Sequence, residues 1–379
     1  MSMRKLDIWH QAGLIDEQTL AKIRAFEDEH HRPLALWAVI GIGALAIGLG
    51  VISVVAANWE DVPGMVRLAL HLALMVWLAA FLIWREQELE QDRPWGLEAL
   101  LFVLAMLGMT FFGHLGQVYQ TSSPLWQPLG VWLLLFGPVL LLRGQSWLTA
   151  MLLMAVLVFI CWDYSWGSAL PGTARDRAQE AWLVFVTALP LMVPPLAAWM
   201  RGRSARDTFW KRLEEMAIAY AVAGATFVCI FAGVTERGYE GMTLLDQLIR
   251  GGVALAAAAL FFKARPGAEG RSSALILAAA GIVCLVAVIV TGSGVMSGIL
   301  FMALWVAIGA IALRAGWRGL FQLAVGAVAL RLIILSFELA SDLLTSGFGL
   351  ILAGIMILAI AWGAVRISRE YAPPREGAE

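Results

Sequence analysis

From residue 34 onward the chain alternates long apolar runs with short polar breaks, a spacing that predicts membrane-crossing helices. A crossing needs about 20 predominantly apolar residues, with a working range of roughly 17–25. The run 34–56 meets that length without a single charge. Further runs follow at 68–84, 96–113, 127–142, 147–162, 181–200, 216–235, 248–262, 274–290, 295–313, 319–337 and 348–365. Those at 127–142, 147–162 and 248–262 are at the short end, so they fit tilted, bundle-packed or re-entrant segments as well. The fold class is therefore all-α, a polytopic helical bundle of about twelve transmembrane helices, with ten as the alternative count.

The first 33 residues follow a different pattern. Leu6, Trp9 and Leu14 flank Gly13, and Asp16 is placed to cap a helix whose apolar face is Leu20, Ile23 and Phe26. A short helical hairpin on the cytoplasmic face is the economical picture; too small to bury its own core, it must lean on the membrane or on a partner protein. Some thirty mostly polar residues at the start do not resemble a cleaved signal peptide. The expected organisation is a cytoplasmic hairpin at 1–33, a first membrane part at 34–162, a second at 163–365, and a basic, then disordered, cytoplasmic tail at 366–379.

Composition agrees with lipid as the main solvent. Hydrophobic residues make up 60% of the 379 and charged ones 15%, with a mean hydropathy of +0.78; a soluble globule of this size cannot hide so much apolar surface. The formal net charge of −1 leaves no basic face for nucleic acid. Placement matters more than the total. With a cytoplasmic N-terminus and twelve crossings, 21 of the 27 Lys and Arg residues fall on inner segments. Outer loops keep only Arg67, Arg175, Arg177 and Arg237, while Arg250 and Arg331 lie within runs. That bias predicts N-in, C-in orientation. Cys161, Cys229 and Cys284 sit far apart in apolar runs without ligand or redox spacing, which suits small packing residues.

Some positions depart from plain apolar helix. Gly41, Gly43, Gly48 and Gly50 make the first run a small-residue helix able to approach its neighbours closely. Pro190, Pro194 and Pro195 must kink or unwind the sixth, freeing carbonyls that another helix or water has to satisfy. Two polar stretches are expected on the outer side: the loop Asn58-Trp59-Glu60-Asp61-Val62-Pro63-Gly64 closing at Arg67, and Gly113 to Gln120 after the third run. His71 lies one helical turn beyond Arg67. Asn58, Glu60, Asp61, Arg67, His71, His114, Gln117 and Tyr119 together could bind a polar or cationic headgroup or exchange protons. The alternative is that Trp59 and Tyr119 anchor the interface, the acids cap the loop, and His114 binds a nearby carbonyl. Arg331, deep in the eleventh run, costs about 2.5–3.5 kcal/mol on insertion scales unless paired or wetted. Glu338 is two turns on along nearly the same face, so a partner on another helix suits Arg331 better. Arg250 follows Asp246 by four residues, which fits a local pair, and Glu98 is close enough to a run's inner end to reach the interface.

The segment Ala57-Asn58-Trp59-Glu60-Asp61 through Arg67, with Trp9 and Gly13-Leu14-Ile15 before it and Gly116 to Tyr119 after it, resembles the bacterial membrane proteins called domain of unknown function 2157. The resemblance spans roughly residues 6–150. It implies a bacterial inner-membrane location and supports the orientation, but it carries no assigned activity, cofactor or catalytic residue.

The functional expectation is a transporter or permeation protein for a small solute, ion or lipid, with membrane lipids as partners and residues 1–33 as the surface for a cytoplasmic protein. The alternatives are a membrane enzyme using Glu60, Asp61 and His114 on an envelope or lipid-linked substrate, and a non-catalytic sensor or scaffold. No cofactor or nucleic acid is implied.

Overall fold

The computed structural model describes residues 10, 13, 16–20, 22, 46, 62–92, 94–167, 176–235, 243–339 and 347–373. Among them the chain is helix and turn without a strand. The helices are α1 (Gly64–Asp92), α2 (Pro94–Tyr119), α3 (Trp126–Arg143), α4 (Trp147–Gly167), α5 (Arg177–Ala188), α6 (Val193–Arg201), α7 (Asp207–Val234), α8 (Leu244–Ala264), α9 (Ala268–Val290), α10 (Gly294–Arg314), α11 (Arg318–Leu339) and α12 (Gly347–Glu370).

Ten helices among the described residues are long and apolar enough to cross a membrane, α5 and α6 counting as one through a 3-10 turn at Leu189–Met192. They fall one for one on the runs from 68–84 to 319–337. The runs that looked short gain length at their ends: α4 and α8 each have 21 residues, about 31 Å at 1.5 Å per residue, which matches a hydrocarbon core of about 30 Å. α12, with 24 residues, covers the last run. Apart from Ala46 the first run, 34–56, lies outside the described residues, and so do its glycines.

The chain divides into two compact units, Met1–Ala69 and Leu70–Glu379. In the first, Asp16 is an N-cap as expected: the Thr19 backbone N–H donates to its Oδ1 at 3.1 Å. Hydrogen bonds from Thr19, side chain first, hold this carboxyl below its usual range. Gly13 has φ of 70° and ends the preceding turn through a bond from its N–H to His10 O at 3.0 Å. The remaining hairpin positions, and with them most of the surface expected to recruit a protein, lie outside the described residues.

In the second unit charge ties one end of the bundle together. Arg143, closing α3, pairs with Glu86 of α1 at 2.7 Å. Glu98, in the first turns of α2, is only 5% exposed; its Oε1 accepts the backbone N–H groups of Gln145 and Ser146, and the Thr149 hydroxyl at 3.3 Å. The sequence suggested that Glu98 would reach the interface. Instead it caps α4, whose first N–H groups have no helical partners and carry partial positive charge. Arg206 donates to the Gly144 and Leu141 carbonyls at 2.9 and 2.6 Å, which α3 leaves unpaired at its C-terminus. Glu214 of α7, 3% exposed, takes Arg201 at 3.1 Å and Arg265 at 2.9 Å. The polar breaks around 85–93, 143–146, 201–207 and 263–271 thus share one end. At the other end the Trp126 N–H donates to Asp163 Oδ2 at 2.7 Å, Trp182 Nε1 to the Tyr164 hydroxyl at 3.2 Å, and the Gly292 N–H to Ala232 O at 2.9 Å.

Between the ends, α7, α8 and α9 pack through small residues: Ala221, Ala225, Ala254, Ala280 and Ala287 are all buried in one cluster. Lipid offers apolar side chains as good a home as the bundle does, so close backbone approach supplies the cohesion. Gly251 of α8 lies close against Gly281 of α9, where a Cβ on either would lie 2.9 or 3.0 Å from the other's carbonyl oxygen. Cys161, Cys229 and Cys284 are buried thiols.

Removing the carboxylate in Glu214→Ala leaves two arginines facing each other in a buried site, and should lower unfolding free energy by about 3–5 kcal/mol, read as a fall in the thermal midpoint of the purified protein. Gly281→Val should cost about 1–3 kcal/mol by overpacking in the same assay, whereas the exposed pair variant Arg212→Ala should leave the midpoint almost unmoved.

Candidate functional site

The prolines break the crossing 177–201 as expected. Pro190 falls in the 3-10 turn, and Pro194 and Pro195 open α6. A proline has no N–H, so the carbonyls one turn before it lose their helical donors. One carbonyl at this break is that of Thr187, and it accepts the Tyr220 hydroxyl from α7 at 2.6 Å. Tyr220 in turn accepts Trp162 Nε1 from α4 at 3.0 Å. Three of the long apolar helices are therefore joined by polar atoms.

Beside this joint lies a cavity of about 610 Å³, lined by α4, the α5–α6 break, α7, α8 and α9. Its inner wall is small and buried, with Ala225 1% exposed and Ala254 and Ala280 each 2%. Its rim carries Trp162 and Phe227, 39% and 56% exposed, together with exposed Gly224. Arg250 of α8 is the single formally charged residue in the lining. Asp246, one turn earlier, was expected to pair with it. Its Oδ2 accepts the Thr243 backbone N–H at 3.3 Å and hydroxyl at 2.7 Å, completing a capping box that starts α8. A second cavity of about 490 Å³, between α10, α11 and α12, is lined without any charged residue.

The structure brings together two of the residues that the sequence grouped as an outer polar site. His71 Nδ1 and His114 Nδ1 are 2.9 Å apart, joining α1 to α2, and the rings meet edge to face. His71 Nε2 lies 3.0 Å from Leu107 O. A carbonyl only accepts, so Nε2 bears the hydrogen; a neutral His71 then offers a bare Nδ1, and His114 Nδ1 is the donor. His114 was expected in a loop after the third run. It lies within α2, which runs through Gly113 and Gly116 to Tyr119 and ends before Gln120, at φ 49°. Gln117 and Tyr119 are exposed in the last turn of that helix. In the first unit, Arg67 Nε donates to Val62 O at 2.7 Å. Asn58, Glu60 and Asp61 lie outside the described residues, so the acid–histidine arrangement required of an enzyme has no geometry here. Arg331, 9% exposed, finds a partner on another helix: its Nη2 donates to Gly294 O at the start of α10, at 3.3 Å. Glu338 follows in α11, and its side chain is outside the described set.

Residues 7–149 match the family described as predicted membrane protein (DUF2157). This agrees with the resemblance at the Asn-Trp-acid loop and includes the histidine pair, while the cavity, from Trp162 to Cys284, lies beyond the matched segment. No curated protein and no solved structure matches the chain.

Sequence reasoning set the cavity residues aside. Arg250 was read as half of a local pair with Asp246, and Tyr220 was not singled out. The usable signal was the pair of oddities: a tyrosine in mid-run, and three prolines in a neighbouring run that needed a donor.

Tyr220→Phe removes the donor to Thr187 O and the acceptor for Trp162. It should destabilise the protein by about 1–3 kcal/mol, the range for buried groups left unmatched, seen as a lower thermal midpoint and faster amide exchange within 184–192.

Proposed function

We propose that this is a multi-pass protein of the bacterial inner membrane, oriented N-in and C-in, that binds a small ligand within the bilayer and passes it across or along the membrane. The observation that carries the reading is the cavity of about 610 Å³ beside the broken crossing. Its size falls within the roughly 300–1,000 Å³ of small-molecule sites. Interrupted helices at membrane depth are characteristic of transporter binding sites, because backbone freed from the ladder can be re-aimed or re-paired at modest cost. Here the hinge is held by hydrogen bonds through Tyr220 rather than by a continuous ladder. The placement of 21 of 27 basic residues on alternate connections supports the orientation.

Filling the cavity without disturbing the fold tests this reading. A Cβ added at Gly224 meets nothing within 4 Å, and replacing glycine inside a helix gains about 0.8–1 kcal/mol of propensity. Gly224→Leu should therefore keep or raise the thermal midpoint, yet lose the small molecules that co-purify with the full chain in native mass spectrometry. The same adducts on wild type and Gly224→Leu would place the ligand elsewhere and overturn the proposal.

A further inference from the structure

What would leave lipid for the cavity beside the proline break depends on what its walls add, on the reading that it binds a ligand within the bilayer. A molecule dissolved among lipid tails gains little from apolar contact alone, because the tails already supply saturated hydrocarbon. The cavity differs from the tails in its rings: Trp162 of α4 and Tyr220, Phe227 and Phe231 of α7 all belong to the lining. Phe227 and Phe231, one turn apart, stack with centroids 5.6 Å apart and planes 16° apart. Contact between rings is favourable beyond the area it buries. The small side chains of Ala254 and Ala280 leave room beside them.

The hydroxyl and indole groups of the lining are already engaged within the protein. Trp162 Nε1 donates to the Tyr220 hydroxyl at 3.0 Å, which donates to Thr187 O at 2.6 Å. The Thr187 hydroxyl donates to Val184 O at 2.7 Å. Arg250 carries the formal charge of the lining, and Asp246, one turn earlier on α8, acts on it as the opposite charge. A charged ligand would give up its hydration for a wall whose cation already has a counter-charge, an exchange that costs more than it returns.

We propose that the cavity takes an uncharged, lipid-soluble molecule with an aromatic or conjugated body, held by the rings of α4 and α7 and by fit against Ala254 and Ala280. Recognition then lies in ring contact and shape, without a charged headgroup. Tyr220 keeps its hydroxyl proton on Thr187 O, so it contributes its ring to the wall and its hydroxyl to the hinge.

The test uses diphenylhexatriene, its cationic trimethylammonium derivative and its anionic propionate derivative, which share one conjugated body and differ in charge. Dodecanol serves as an uncharged, saturated comparison. Each is equilibrated with the full-length protein in a neutral detergent, and bound copies are read by native mass spectrometry. Diphenylhexatriene should bind wild type more tightly than either charged derivative and more tightly than dodecanol. Phe227→Ala should weaken diphenylhexatriene about twofold to tenfold, the size of one ring pair, and weaken dodecanol less. Phe227 is exposed, so this variant should keep the thermal midpoint of wild type. Gly224→Leu should abolish binding of diphenylhexatriene. A charged derivative that binds as tightly as the parent, no binding of diphenylhexatriene to wild type, or no effect of Phe227→Ala overturns the uncharged aromatic assignment; loss of native adducts in Gly224→Leu would still uphold the cavity reading. Binding of diphenylhexatriene that is indifferent to Gly224→Leu overturns the assignment of these probes to the cavity, and native adducts equally indifferent to it overturn the cavity reading itself.

Discussion

A backbone carbonyl inside a bilayer has to be satisfied by the protein, because the solvent there offers no donors. The crossing from 177 to 201 is where this constraint presses hardest, since three prolines in six residues remove donors from its ladder. The Tyr220 hydroxyl on Thr187 O answers that demand, and Trp162 on Tyr220 extends it to a third crossing. Once the break is accommodated, α5 and α6 need not form one straight rod, and space opens between the break and α7. The cavity lies beside this break, with Thr187 and Leu191 in its lining.

Away from the break the bundle is held in two ways. Its charged end is a network in which each buried acid serves a helix terminus or more than one arginine: Glu98 caps α4, and Glu214 binds Arg201 and Arg265. Its interior relies on alanine and glycine, with Gly251 and Gly281 bringing α8 and α9 into backbone contact. Polar pairing thus fixes which helix ends meet, and small residues fix how closely the helices run between them.

Most of the architecture was legible because hydropathy reports a constraint on each segment alone. A run must be about 20 residues long to cross, and α1 to α11 fall where such runs predict. The proline break was legible for the same local reason. What sequence concealed were relations between segments. Glu98 looked like an interfacial acid because nothing near it reveals that α4 begins against it. His71 and His114 were set in one group on topology alone, yet their direct bond depends on α2 continuing past residue 113. The spacing of Asp246 and Arg250 did not reveal that the same acid also caps α8 through Thr243. The lining of the cavity comes from five separate segments, and no single one announces it.

The position of Glu98 also bears on how the protein is made. A membrane protein is inserted from its N-terminal side as synthesis proceeds, so α2 enters the bilayer before the residues that its carboxylate will cap. Until Gln145, Ser146 and Thr149 emerge and α4 turns back beside it, Glu98 is an acid at the edge of hydrocarbon without its native donors. The span α3 must therefore be laid down within that interval. The cap acts as a latch between early and late helices, closing only when the first hairpin of crossings has been followed by the second in the correct order.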